Sequence, residues 1–321
     1  MNFPVFDLHC DTSLALLGEH CDTIGQLRKN SLHIDLERAS QLEAYCQCFA
    51  CFTTPDMKKW LNKEPVVVFE RELAAIMRET EANSDLIAIA YTPGEIANNR
   101  AAGLMSAVLT IEGPAGFDFD PELLDDLYNI GFRITTLGWN EKNALCGSHK
   151  TSGGLTEQGR EYVRKAQSLG MLIDVSHISD EAFWDIMEIT QGPVIASHSN
   201  SRSVWDVSRN LTDEMFLAIC KTGGVVGINL YTDFLGENAD LDTICRHITH
   251  FLSLDPSGKH IALGGDLDGC DSLPAGFTGV QDYQKLGKRL IELGISRETV
   301  LDIFWNNAYE VMKNAVPEHK K

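Results

Sequence analysis

His9 and Asp11 stand two residues apart in the stretch 5–12, V-F-D-L-H-C-D-T, at the end of an apolar run. In a strand, residues i and i+2 share a face, so the imidazole and the carboxylate aim at one point while Cys10 faces away. Metal ligands use that spacing. A lone His-x-Asp is common, but more ligand-type residues close apolar runs further on: Glu112 after S-A-V-L-T-I, His177 after M-L-I-D-V-S, His198 after P-V-I-A-S and Asp266 after H-I-A-L-G-G. Singly, these residues read as a turn acid, two hydrogen-bonded core histidines and a loop cap. Together they put one chemistry-bearing group at the same end of five strands, which separate coincidences do not explain.

Three imidazoles (His9, His177, His198) and two carboxylates (Asp11, Glu112) suit zinc, which takes nitrogen and carboxylate oxygen and here needs no thiolate. One carboxylate between two pairs of ligands suits a two-metal site. Two ions ~3.5–4 Å apart can acidify a shared water and polarise a carbonyl, so the reaction class is hydrolysis. Asp266, at the edge of this set or outside it, is then the general base and acid.

Eight strand-like runs must deliver these groups: 5–12, 43–52, 106–112, 132–139, 171–177, 193–198, 224–231 and 260–266. Between them lie helical patterns at 65–82, 96–102, 121–130, 156–169, 180–190, 212–221 and 241–254, with two more at 282–293 and 296–312 and a short strand-like run at 86–91. Thr156 is placed to cap one of these helices and Gly170 to end it. The strand runs are almost wholly apolar rather than alternating, the pattern of parallel strands buried on both faces. The expected fold is α/β, a (β/α)8 TIM-type barrel forming a single domain over 1–321, with the C-terminal ends of its strands converging on one mouth. A doubly wound open sheet would want a G-x-G-x-x-G turn after an early strand, and the sequence has none.

With 27 Lys and Arg against 46 Asp and Glu, the net charge is −19, so no basic patch is offered to nucleic acid or to an anionic membrane. The chain is 44% hydrophobic, yet no run reaches the ~18 apolar residues of a membrane span, and neither a signal peptide nor a lipid-anchor tail is visible. Nine cysteines without regular spacing favour a reducing compartment. Cys46, Cys48 and Cys51 lack a second Cys or Cys-His pair to complete a zinc site, so buried structural cysteine is the expectation. The segment 264–269, G-G-D-L-D-G, has glycine fourth from Asp266, where a calcium loop needs it sixth. His20, His33, His149, His247, His250, His260 and His319 fall at helix or loop positions and are expected in surface or capping roles.

The set H-C-D at 9–11, I-E-G at 111–113, L-I-D-V-S-H at 172–177, S-H-S-N-S-R-S-V at 197–204, S-R-N at 208–210 and G-G-D-L-D-G at 264–269 resembles the membrane (renal) dipeptidase family, peptidase family M19 of the amidohydrolase-like metal-dependent hydrolases. The resemblance runs from residue 5 to about residue 312. It implies that His9 and Asp11 bind one zinc, His177 and His198 the second, and that Glu112 bridges them. It further implies that Asp266 transfers the proton, that Arg209 holds the substrate's terminal carboxylate, and that the substrate is a dipeptide, often with a D-residue at its C-terminal position. A homodimer is a further expectation of the resemblance. Two departures stand out. The vertebrate members are secreted, disulfide-bearing and lipid-anchored, whereas this sequence points to a cytoplasmic version. Where the family often has T-L-T-H, its histidine helping to bind the scissile carbonyl, this sequence has T-L-G-W, with Trp139 in that place. The same site could instead act on N-acyl amino acids or lactams, and a catalytically silent barrel used for binding is the remaining alternative.

Overall fold

The structure is a computed structural model that describes residues 2–18 and 26–318; His20, Cys21 and His319 lie outside the described residues. Its frame is a parallel sheet of β1 (Val5–Cys10), β2 (Tyr45–Phe52), β3 (Ile87–Ile89), β4 (Met105–Glu112), β5 (Phe132–Thr136), β6 (Leu172–Asp174), β7 (Val194–Ile195), β8 (Val226–Ile228) and β9 (Ile261–Leu263). The order is β7-β6-β5-β4-β2-β1-β9-β8, and a parallel bridge from Ala196 to Val226 closes β7 onto β8. The result is the expected (β/α)8 barrel. The ninth strand, β3, arises from the run at 86–91. It pairs with β4 at Met105–Ala107, just before β5 takes up pairing with β4 at Leu109.

Helices form where the apolar spacing demanded them. In Pro65–Ala82, Pro65 opens the helix, and Val68 with Phe69 and Ala75 with Ile76 are buried as two adjacent pairs seven residues apart, along one stripe. Thr156 accepts a hydrogen bond from Gly159 N at the start of Glu157–Leu169, and Gly170 ends that helix at φ 86°. The pattern at 296–312 is not one α-helix. Between Arg297–Leu301 and Asn307–Ala315 the chain makes a π-turn, Asp302–Asn306, which buries Ile303, Phe304 and Trp305 in succession. Among the described residues no helix is long and apolar enough to cross a membrane.

Three hydrophobic clusters result. The largest lies between strands and helices; a smaller core gathers Phe6, Leu8, Cys46, Cys48, Val108, Ile134, Leu172, Ile195 and Ala262 from the strands with Trp305 and Val311; a third, of Leu17, Phe52, Met57, Val68 and Ala75, has Trp139 packed against it. Cys46 and Cys48 are thus packing residues, and all eight described cysteines are unpaired. By alternation Val108, Thr110 and Glu112 share a face of β4, which sets Glu112 on top of this smaller core.

Several strands are shorter than their apolar runs suggested, because buried carboxylates take over the backbone near the mouth. Asp174 Oδ1 accepts from Ser176 N (2.9 Å) and Ser197 N (2.8 Å). Asp7 Oδ1 accepts from His9 N and Gly265 N, each at 3.0 Å, while Tyr283 donates its hydroxyl to Oδ2. Bonds to a charged acceptor contribute about 1.5–3 kcal/mol each, enough to keep such carboxylates buried and to end the ladder. Beyond that point His177 (φ 72°), Asp266 (φ 55°) and Asp268 (φ 67°) adopt left-handed backbone, so their strands have already turned out of the sheet.

Candidate metal centre

His9 and Asp11 do converge, though not as neighbours on a regular strand. Pairing of β1 with β2 slips between Asp7 and Cys10, and Asp11 lies past the strand end, in the turn into Thr12–Ala15. The slip still leaves His9 Nε2 3.6 Å from Asp11 Oδ2. Asp11 is held there from the end of the neighbouring strand β9, since its N–H donates to Leu267 O at 3.0 Å.

Glu112 is central. Its Oε2 lies 3.2 Å from His9 Nε2, and its Oε1 lies 3.1 Å from His177 Nε2 and 3.7 Å from His198 Nε2. One oxygen therefore faces each half of the ligand set. The His9 ring stacks on His198 with centroids 3.8 Å apart. All five side chains are buried.

The residues behind the ligands set which nitrogen is free. Ser197 donates its hydroxyl to Asp174 Oδ2 and lies 2.6 Å from His198 Nδ1, so Nδ1 must be the donor and Nε2 carries the lone pair. His177 Nδ1 donates to Asn140 Oδ1 at 3.2 Å, which leaves its Nε2 bare in the same way. Burial first, and then the cationic neighbours His9 and Arg209, hold both rings far below the usual histidine range. Neutral imidazoles are the ligand form.

The opposite half is short of positive charge. Burial, reinforced by Asp11, raises the Glu112 carboxyl to about 8. Burial also opposes the His9 cation, but Glu112 and Asp11 outweigh it and lift that imidazole well above its ordinary value. His9 Nε2 and Asp11 Oδ1 are buried and have no hydrogen-bond partner among the described residues. Divalent metal would satisfy these atoms and the surplus of carboxylate together, so the residues fit a metal site.

Asp266 sits at the edge, its Oδ1 3.9 Å from His9 Nε2 and its Oδ2 accepting from Asn229 Nδ2 at 3.0 Å. Burial raises its carboxyl to about 6, with Asp11 adding and His9 and Arg209 opposing. Asp268, two residues on, is committed elsewhere: its oxygens accept from Thr12 Oγ1 (2.6 Å) and His33 N (2.5 Å). Gly269 has no room for a side chain, since a Cβ there would run into Asp11 Oδ2 and Asp266 Oδ1.

Arg209 is buried under the same mouth. Its Nη1 donates to Ser199 Oγ (2.8 Å) and its Nη2 to His198 O (2.9 Å), while Nε has no partner. It forms no ion pair among the described residues, and burial lowers its pKa to about 10. Trp139 packs edge-on against Phe52 (5.2 Å) and Trp60 (5.4 Å), with His177 6.1 Å away.

The structure thus gathers His9, Asp11, Glu112, His177, His198, Asp266 and Arg209, with Trp139 on the rim. Of the histidines expected in surface or capping roles, His33 and His149 are half-buried and His247 is buried. His149 donates through Nε2 to Asn140 Oδ1 at 2.7 Å, steadying the residue that orients His177. His33 accepts from Asp268 N at 2.9 Å, and His247 is fully buried. Asp174, Asn140 and Asn229 escaped the sequence reading. The signal for Asp174 was available, since a carboxylate inside the apolar run M-L-I-D-V-S needs a buried partner.

A profile described as membrane dipeptidase, peptidase family M19, matches residues 1–320. An uncharacterized dipeptidase of Schizosaccharomyces pombe is 35% identical over 216 residues, 65% of this chain and 53% of the yeast protein, so the match spans about half of that relative. A Klebsiella pneumoniae protein encoded in the pqqA 5' region is 31% identical over 265 residues, 78% of this chain and 97% of its own. The crystal structure of a Rhodobacter sphaeroides metallopeptidase, liganded with a phosphinate mimic of L-Ala-D-Ala, superposes with a TM-score of 0.87 at 23% identity, covering 98% of this chain and 100% of its own. The probable dipeptidase PvdM of Pseudomonas aeruginosa gives 0.88 at 18% identity, covering 98% and 95%. These structures share the barrel. On a profile that spans nearly its full length, the chain belongs to the membrane dipeptidase family, peptidase family M19.

Proposed function

We propose that this protein is a dinuclear zinc dipeptidase of the cytoplasm, cleaving dipeptides that carry a free C-terminal carboxylate and accepting a D-residue at that position. The observation that carries the reading is Glu112, with one oxygen toward His9 and the other toward His177 and His198. Zinc is favoured by the ligand chemistry of three imidazoles and two carboxylates. When bound, the metals supply Lewis acidity toward a carbonyl and a water acidic enough to attack near neutral pH.

The chain's own residues do the rest. Asp266, anchored by Asn229, takes the proton released by the attacking water and returns it to the leaving amine. Arg209 is a buried cation without a carboxylate partner, which favours a role in receiving the substrate's terminal carboxylate beside the ligand His198. Trp139 limits the space on the His177 side. The D-residue is supported by the L-Ala-D-Ala mimic bound to the Rhodobacter relative. The cytoplasmic setting is supported by eight unpaired cysteines.

The test is turnover by zinc-loaded protein of L,L and L,D dipeptides, the same dipeptides amidated, and N-acyl amino acids. Free dipeptides are expected to be cleaved and amidated ones poorly. Arg209→Lys, which loses the planar fork, should raise KM on free dipeptides by about tenfold or more. Equal turnover of free and amidated dipeptides, or preference for N-acyl amino acids, would replace this reading with a broader amidohydrolase.

A further inference from the structure

At the opposite end of the barrel, Cys220, Asp255 and His260 come together from three elements. Cys220 lies in the last turn of the helix Asp213–Lys221, Asp255 ends the helix Leu241–Leu254, and His260 immediately precedes β9. The sulfur, one carboxylate oxygen and one ring nitrogen lie within 4.8 Å of one another. All three residues are half-buried.

Each side chain has a donor atom to spare. His260 Nδ1 donates to Gly224 O at 2.7 Å, so the ring's lone pair is on Nε2. Asp255 Oδ1 accepts from Ser257 N (3.1 Å) and Ser257 Oγ (2.6 Å), while Oδ2, itself buried, accepts nothing. A buried carboxylate oxygen with no partner among the described residues, beside a thiol and an imidazole, is a cost in the metal-free protein. A cation would remove it.

We propose that Cys220 Sγ, Asp255 Oδ2 and His260 Nε2 form a second, peripheral site for a zinc-like divalent cation, with water completing the tetrahedron. The ligand set mixes thiolate, imidazole and carboxylate, which selects a borderline-soft ion over magnesium or calcium. Small rotations of half-buried side chains bring the three atoms onto bonds of ~2.0–2.3 Å. Binding replaces the thiol proton by the metal, so one proton is released per ion bound. The ion ties the ends of two outer helices to the start of β9, far from the mouth, and its role is to staple the barrel floor.

The catalytic ligand set contains no cysteine, so a thiolate signal separates the two sites. The full chain is titrated with Co²⁺ and the near-ultraviolet thiolate-to-cobalt charge-transfer band is followed. The band is expected in the unmodified protein and absent in Cys220→Ser, whose dipeptidase kinetics should match the unmodified enzyme. In parallel, Zn²⁺ should protect Cys220 of the unmodified protein from alkylation, read by mass spectrometry, which needs no variant. Absence of the band at saturating cobalt, its persistence in Cys220→Ser, or alkylation of Cys220 unaffected by zinc would each overturn the site.

Discussion

His177 and His198 face each other Nε2 to Nε2 across 2.9 Å, and neither has a hydrogen to place between them. Asn140 holds the Nδ1 proton of one, and Ser197, itself donating to Asp174, holds that of the other. Two lone pairs at that distance repel unless a cation sits with them. The outer residues therefore leave these two nitrogens in the form that a metal ion would bind.

Metal content is the first consequence. Purified Cys220→Ser protein, which lacks the peripheral thiol, should carry close to two equivalents of divalent metal per chain and lose activity on chelation; active protein with none would remove the site. Glu112→Gln takes away the charge facing both halves. It should weaken metal binding by more than the ~10–100-fold typical of an outer partner, measured by competition with a chromophoric chelator.

Asp266→Asn preserves shape and the bond from Asn229, since the new amide oxygen can still accept it. What is lost is basicity, so kcat should fall by roughly 10²–10⁴-fold while metal content stays unchanged. A base works only when ionised, so activity should rise with pH on the acid limb, and that limb should vanish in the variant. A variant that keeps its activity would place the base elsewhere. Asp268 is a poor substitute, because Thr12 and His33 already occupy its oxygens.

The barrel and the candidate ligand set were legible because both rest on local rules. Buried parallel strands need unbroken apolar runs, and β4 runs its full expected length up to Glu112. The outer residues were harder to see, because their partners are distant in sequence: Asp7 meets Gly265 and Tyr283, and Asp268 meets His33. Strand lengths were overestimated for the same reason. A run such as M-L-I-D-V-S-H reads as strand throughout until the Asp174 carboxylate is seen capturing the N–H groups of Ser176 and Ser197.

His247 provides a pH test away from the metals. Its Nδ1 accepts from Ser201 N (3.1 Å) and its Nε2 donates to Leu235 O (3.0 Å), so the buried ring is neutral. Burial lowers its pKa to about 4. The unfolded chain, with a histidine near ~6.5, binds the proton more readily, so this stability is complete above that pH and is lost as pH falls from ~6.5 toward 4. The loss is on the order of 3 kcal/mol. His247→Gln can keep both bonds but cannot titrate, so its denaturant midpoint should fall less between pH 7 and pH 4.5. Parallel pH dependences in the two proteins would refute the assignment.

Trp139 tests how this site departs from its relatives. Its ring is wedged between Phe52 and Trp60, with Lys150 Nζ 6.0 Å from the ring centre, so its contacts are those of a wall. An indole donates only through its ring N–H and cannot be charged, so it cannot reproduce a histidine's whole role toward a carbonyl. If it acts as a wall, carbonyl polarisation falls to the metals and Trp139 sets which side chains enter beside His177. Trp139→Phe removes the N–H while keeping most of the bulk. On the wall reading, kcat for the best dipeptide should change little while the ranking of substrates shifts toward larger residues. A fall in kcat of ~10²-fold or more with the ranking unchanged would instead make the indole N–H an oxyanion donor.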